Sequence, residues 1–205
     1  MSVFDEVDPA VLHGIIRGHP LATLVTASGD GLAAYHVPFV LHADVGEKGT
    51  LRGHVSRANP LARGGDATAL AIFQAADAYV TPSWYPGKAE HGRVVPTWNY
   101  VVAHAHGTLR LIDDPAWILA QMESLTRQQE EPRRNPWQVR DAPAEYIDKL
   151  VGAVIGIEIP IARLAGKRKV SQNRDARDRA GVAAGLAGEE SVGALAMRRW
   201  VAPPG

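Results

Sequence analysis

The 205-residue chain contains no cysteine. Disulfides, cysteine nucleophiles and thiolate metal sites are therefore excluded. It also lacks a net charge: Lys plus Arg and Asp plus Glu are each 22. That balance argues against a surface coated in positive charge for nucleic acid, though not against a local basic patch. No apolar run reaches the ~18 residues of a membrane span. The acidic start, Met1 to Asp8, lacks the basic region of a secretory signal. A soluble, cytoplasmic protein is the expectation. A Walker loop, a G-x-S-x-G elbow and a Rossmann glycine triplet after a strand are all missing. There is no internal repeat and no low-complexity segment. What remains is 46% hydrophobic and 21% charged, which suits a folded core rather than disorder. The length fits a single domain over 1–205, with a core over about 19–174 and a helical C-terminal extension over about 175–200.

The pattern is mostly β with added helices. Asp8-Pro9 reads as a helix cap and first turn, with Val11, Leu12, Ile15 and Ile16 on one face. Leu21 to Thr26 reads as a strand, and Ser28-Gly29-Asp30-Gly31 as a hairpin turn. Leu32 to His42 alternates, with Tyr35, Val37, Phe39 and Leu41 toward a core. Pro38 makes that strand an edge or bulged strand. Thr50 to Ser56 reads as the next strand, with Asn59-Pro60 starting a helix after it. Ala67 to Gln74 is nearly all apolar and reads as a strand buried on both faces, with Ala78 to Thr81 a separate one. Val101 to Ile112 places His104, His106, Thr108 and Arg110 on one face. Asp114-Pro115 opens a helix with Ile118, Leu119, Met122 and Leu125 inward, and Ala144 to Val151 forms another. Ala153 to Ile161 alternates most cleanly, with four isoleucines on one side. Strands do not alternate regularly with helices, so an antiparallel barrel with helical additions fits better than a doubly wound sheet. Residues 202–205 read as a loose tail.

Five groups of residues could carry chemistry. At Gly53 to Pro60 a strand ends on Ser56 and Arg57 just before the Asn59 helix start. Free backbone N–H groups, a hydroxyl and a guanidinium fork there could hold a phosphate; on spacing alone the ordinary turn with a surface arginine is the more frequent case. His36 and His54 share the non-core parity of two strands and could face a ligand together, or be solvated. His104 and His106 could bind a metal, but no carboxylate of matching parity lies nearby. Tyr79 to Tyr100 holds five of the ten Trp and Tyr residues, amid prolines and glycines, as for a flat ligand, a subunit interface or a satellite core. Arg163 to Arg179 holds seven basic residues against Asp175 and Asp178, followed by two Ala- and Gly-rich segments that weakly resemble a helix-turn-helix. His13, His19, His42 and His91 have no evident partner, and no nucleophile–base pair is visible.

Together these blocks resemble the PaiB-like family of FMN-binding negative transcriptional regulators. The matching stretches are His19-Pro20-Leu21-Ala22-Thr23, His36-Val37-Pro38-Phe39, and Leu51-Arg52-Gly53-His54 through Asn59-Pro60. They continue with Ala71-Ile72-Phe73-Gln74, Ala78 to Tyr85, and Val95-Pro96-Thr97-Trp98-Asn99-Tyr100 leading into His104-Ala105-His106-Gly107. The last is Lys169-Val170-Ser171-Gln172-Asn173-Arg174. The chain departs at His106, where tyrosine is expected, and at Val170, where leucine is.

The resemblance implies an FMN-binding split β-barrel that forms a homodimer, with the flavin between protomers. A small barrel fills its interior with side chains, so a flat ring must bind outside it. On this resemblance Ser56 and Arg57, with the Asn59 helix start, are expected to hold the FMN phosphate. His36, Pro38 and His54 would line the ring or ribityl chain, with Gln74 at the ring edge. Trp98, Asn99 and Trp84 would cover the ring from the partner, and Lys169, Ser171, Gln172, Asn173 and Arg174 would close the pocket. The alternatives are a flavin-dependent oxidoreductase and a haem-binding or haem-degrading enzyme. The regulator name brings a protein or DNA partner into view, although the neutral charge speaks against strong direct DNA binding.

Overall fold

The computed structural model describes residues 2–28 and 31–201. The hairpin turn at 28–31 and the tail at 202–205 expected from the sequence fall wholly or partly outside them. Eight strands and six α-helices alternate irregularly along these residues. The strands are β1 (Asp5–Glu6), β2 (Leu21–Ser28), β3 (Gly31–Pro38), β4 (Val40–His42), β5 (Thr50–Ser56), β6 (Ala67–Val80), β7 (Thr97–Ile112) and β8 (Val154–Lys169). The helices are α1 (Pro9–Gly18), α2 (Gly87–His91), α3 (Pro115–Glu130), α4 (Ala144–Ala153), α5 (Ala176–Ala187) and α6 (Val192–Val201). The strands hydrogen-bond in the order β3-β2-β6-β7-β8-β5-β4, with β1 on β8. The chain groups into two compact units. The first comprises residues 1–15, 74–103 and 165–205, the second 16–73 and 104–164.

In the second unit β2 pairs antiparallel with β3, Thr23 opposite His36, and with β6, Thr23 opposite Ile72. β5 pairs antiparallel with β4 and β8, His54 opposite Gly156 and Arg52 opposite Glu158. The stretch expected as one strand from Leu32 to His42 breaks after Pro38, which has no N–H for a ladder. β3 accordingly ends a row of strands, as its proline requires. The break changes the alternation, so Phe39, Val40 and Leu41 are all buried. Gly53 is needed beside this break: a Cβ there would lie 2.9 Å from the Pro38 carbonyl oxygen. Asp114 caps α3 by accepting from the Ala116 and Trp117 N–H groups at 2.9 and 3.3 Å. Ile118 of α3 packs with Val139, Ile147 and Val151, and Leu119 and Met122 lie against that cluster. The isoleucines at 155, 157, 159 and 161 are buried as their alternation predicts.

β6 is one strand of 14 residues, not two. Its burial alternates instead of covering both faces: Ala69, Ala71 and Phe73 are inside, then Ala76, Ala78 and Val80. The buried parity slips by one between Phe73 and Ala76, so an apolar run that looked uniform is two half-buried stretches of opposite phase.

In the first unit β1 pairs with β8, Asp5 opposite Lys167. Gly166 lets Leu12 and the Val102 carbonyl approach; a Cβ would lie 2.4 Å and 2.8 Å from them. The glycines of α5 have the same purpose. At Gly181 a Cβ would meet the Trp84 carbonyl oxygen at 2.0 Å, and at Gly185 it would meet the Trp84 indole at 2.2 Å. The small-residue face of α5 is thus the seat of the short 3-10 helix Pro82–Trp84.

Candidate functional site

The corner after β5 is closed by its own backbone. Ser56 and Arg57 are exposed. The helix that follows is a four-residue 3-10 turn, Pro60–Arg63, rather than an α-helix. Arg57 N–H donates to the Ala153 carbonyl at 2.9 Å, and Asn59 N–H to the Ser56 carbonyl at 2.9 Å. Ala58 N–H donates to Ser56 Oγ at 3.2 Å and Leu61 N–H to Asn59 Oδ1 at 3.0 Å. Ala62 N–H reaches the Asn59 carbonyl at 3.0 Å, and Pro60 has none to offer. The free N–H groups expected at this helix start are therefore already bonded, and Asn59 acts as the cap. Only side chains can hold an anion here.

Arg57 is the main such side chain. Its Nε donates to the Gly152 carbonyl at 2.9 Å, its Nη1 to Asp113 Oδ2 at 3.0 Å, and its Nη2 to Asp113 Oδ1. The guanidinium holds the Asp113 carboxyl below the usual range, and the carboxylate raises Arg57. Both partners are exposed, so an incoming anion can compete for the fork. Asp113 was not legible as a partner because it lies 56 residues away, beside the more obvious cap Asp114.

The histidines do not share a pocket face. His36 is exposed opposite Thr23. His54 is half-buried, and its Nδ1 lies 2.5 Å from Gln121 Oε1 on α3. Gln121 is 3% exposed, and its Nε2 also donates to the Arg52 carbonyl at 3.4 Å. A glutamine on the core face of an amphipathic helix was the missed signal: it needs partners, and His54 is one. Arg52 pairs with Glu158 at 2.9 Å and lies 5.7 Å from the Trp117 ring centroid. His104 and His106 stack edge to face, their centroids 6.5 Å apart. His106 Nδ1 lies 3.0 Å from Arg163 Nη2. Burial lowers both histidine pKa values and the Arg163 charge lowers them further; the same charge opposes a cation beside His106. A cleft of the second unit, about 490 Å³, lies around Glu130, Trp137 and Arg140 and contains none of the candidate residues.

The first unit gathers the other candidates into two clefts. One, of about 300 Å³, is lined by Asp77, Tyr79, Trp84, Trp98, Glu189 and Ser191, among others. Asp77 organises it: Oδ1 accepts from Gln74 Nε2 at 2.9 Å and Oδ2 from Trp98 Nε1 at 3.1 Å. Tyr79 and Trp98 meet edge to face at 6.0 Å and stay half exposed, at 49% and 50%. The second cleft, of about 220 Å³, brings together Asn99, Lys169, Ser171, Asn173 and Arg174 with Phe4, Tyr85 and Thr97. Trp98 and Asn99, expected side by side over one ring, thus line different clefts, because successive strand residues face opposite ways. Gln172 does not line the cleft. It accepts from Val170 N–H at 2.7 Å and donates to the Val3 carbonyl at 3.2 Å and to that of Arg168, tying the loop down.

Comparison with known proteins decides the family. The family described as "Putative FMN-binding domain" matches residues 1–163. The chain belongs to this FMN-binding domain family. A protein of Emericella nidulans described as uncharacterized is 36% identical to it, over 90% of this chain and 88% of that one. The Bacillus subtilis protease synthase and sporulation protein PAI 2 is 25% identical, over 95% of this chain and 91% of that protein. Among solved structures, the FAD and haem binding protein from Mycobacterium smegmatis superposes with a TM-score of 0.57 at 20% identity, covering 88% of this chain and 80% of that one. The flavocytochrome Anf3 from Azotobacter vinelandii gives 0.56 at 16% identity, covering 86% and 75%. These likenesses carry the fold: the mostly antiparallel split barrel with added helices that the resemblance implied. No helix among the described residues is long and apolar enough to cross a membrane.

Proposed function

We propose that this member of the FMN-binding domain family is a flavoprotein that holds FMN at the interface of a homodimer. The observation that carries the reading is the family match over residues 1–163, which contain the exposed Ser56-Arg57 corner. Arg57 presents a planar fork suited to two phosphate oxygens, and its present partner Asp113 is an exposed carboxylate that a phosphate dianion outcompetes. Ser56 adds a hydroxyl. The half-exposed Tyr79–Trp98 pair would offer its aromatic surface to the ring held by the opposite protomer, and Gln74 and Asp77 keep the Trp98 indole in place. Bound FMN would supply hydride and electron transfer; the chain's residues bind and orient it. Among the described residues no acid–base pair is evident, and the chemistry proposed is flavin-dependent redox chemistry.

The test is an absorbance scan of the purified protein, followed by denaturing release and identification of the cofactor. A flavin band near ~450 nm supports the reading; a Soret band near ~400 nm favours the haem alternative. Sedimentation of the flavin-loaded protein should give a dimer, because a ring walled by two copies couples binding to association. The Bacillus subtilis relative, named for protease synthesis and sporulation, favours a second, regulatory reading. Direct DNA contact by the basic stretch at 163–179 would appear as a salt-dependent gel shift; no shift at low salt would leave a protein partner as the route.

A further inference from the structure

The basic residues of the first unit are not alike. Lys167 pairs with Asp5, Arg168 with Glu6 at 3.3 Å, and Arg177 with Glu90. Lys169 and Arg174 have no carboxylate partner among the described residues, and both line the 220 Å³ cleft. Lys169 Nζ donates to Thr97 Oγ1 at 2.6 Å and lies 5.9 Å from the Phe4 ring centroid. The Arg174 guanidinium lies 4.8 Å from the Tyr85 centroid. No carboxylate lines the cleft, whose two cations face it while Asp178 acts on Tyr85 from outside the lining.

Three further observations show a built site. Tyr85 is 2% exposed, yet its buried hydroxyl makes no hydrogen bond of acceptable geometry to the guanidinium over its ring or to any other described group. A buried donor left without a partner is unusual, and this one belongs to a residue that lines the cleft. Burial pushes the Tyr85 pKa up, outweighing the opposing pull of Arg174, so the hydroxyl remains a donor at neutral pH. Ser171 is the only non-glycine residue with positive φ among those described, at 64°. It is held there by fully buried Asn99, whose Nδ2 donates to Ser171 Oγ at 3.0 Å. Ser171 also accepts the Arg174 N–H at 3.0 Å, so the strained turn carries Arg174 back toward the cleft.

We propose that this cleft is a binding site for a phosphate monoester dianion. Two cations match two negative charges better than they match one carboxylate. A guanidinium fork and an ammonium supply charge-assisted donors for the phosphate oxygens, with the buried Tyr85 hydroxyl beneath the guanidinium. The cleft is smaller than the pockets that enclose drug-sized ligands, so it receives the phosphate group and leaves the rest of the molecule outside. That phosphate belongs either to a separate small metabolite or to the flavin itself. The site does not depend on the flavin reading, because its cations and orphaned hydroxyl are properties of the first unit alone.

The experiment is calorimetric titration of the full-length, flavin-free protein with inorganic phosphate, with acetate as the monoanion control. The expected result is saturable phosphate binding at least about tenfold tighter than acetate. It should weaken about tenfold or more in Arg174→Gln and in Lys169→Gln, and several-fold in Tyr85→Phe, which keeps the ring and loses only the hydroxyl. Repeating the titration with saturating FMN separates the two sources: unchanged phosphate binding assigns a separate phosphorylated ligand, and competition assigns the flavin's phosphate to this cleft instead of to Arg57. Absence of saturable phosphate binding, an equal response to acetate, or identical affinity in Arg174→Gln and the parent protein overturns the proposal. A protein that binds phosphate but never flavin would sink the flavoprotein reading and leave this one standing.

Discussion

Arg57 and Asp113 make opposite demands on a bound phosphate, and this turns one ion pair into a test with two signs. In the structure Asp113 occupies both Nη groups of Arg57, while Nε stays on the Gly152 carbonyl. Arg57→Ala removes a bidentate, charge-assisted contact that backbone N–H groups cannot replace, because those of the corner are already bonded. FMN binding should weaken by about 10- to 100-fold. Asp113→Asn removes a competing anion and frees the fork, so FMN binding should tighten, by about two- to fivefold at low salt. At about 1 M salt, where the Debye length is roughly 3 Å, the Asp113→Asn gain should shrink toward nothing. The assay is quenching of FMN fluorescence on titration with each variant, with riboflavin as the phosphate-free control; riboflavin affinity should move in neither variant. If both variants weaken FMN binding alike, the pair is a structural strut. If neither changes it, the phosphate is held elsewhere.

Other consequences follow from packing and titration. Gly185→Ala should destabilise the protein by about 1–3 kcal/mol in a urea melt, because the new Cβ falls 2.2 Å from the Trp84 indole; an unchanged midpoint would mean that the α5 contact is absent in solution. Gln121→Leu should cost about 1–3 kcal/mol, since it leaves His54 Nδ1 and the Arg52 carbonyl without their partner, and should shift the His54 imidazole resonances; a silent substitution would remove Gln121 from the account of His54. His42, His104 and His106 all have pKa values lowered chiefly by burial. Their neutral forms are favoured in the folded state, so the stability they contribute is complete above about pH 6.5 and is lost as pH falls through the lowered folded values. Thermal melts from pH 8 to 5 should show Tm falling below about 6.5, with a shallower fall in His104→Gln.

Much of the fold is legible because its signals are local. Asp114-Pro115 announces the start of α3, and the four alternating isoleucines of β8 announce a buried face, whatever lies across from them. Helix caps and strand parity depend on neighbours a few residues away, which the sequence itself supplies. The family blocks likewise stand in the linear order. β6 shows where this stops: a nearly uniform apolar stretch does not reveal that its buried parity slips after Phe73, since Ala and Ile are tolerated on either face.

The candidate site was legible only as a set of residues. Composition and order brought Ser56, Arg57, Asn99, Lys169 and Arg174 into view. Pairings 56 to 72 residues apart determine what each can do: Arg57 with Asp113, Lys169 with Thr97, Asn99 with Ser171. The tertiary structure alone decided that the N–H groups at the Asn59 corner are already bonded and that the Tyr85 hydroxyl is not. It alone decided which cations of the basic stretch meet a carboxylate and that Lys169 and Arg174 line a cleft without one. Residue type tells what a group can donate, accept or repel, but whether that capacity is free is set by what the fold brings within about 3 Å of it.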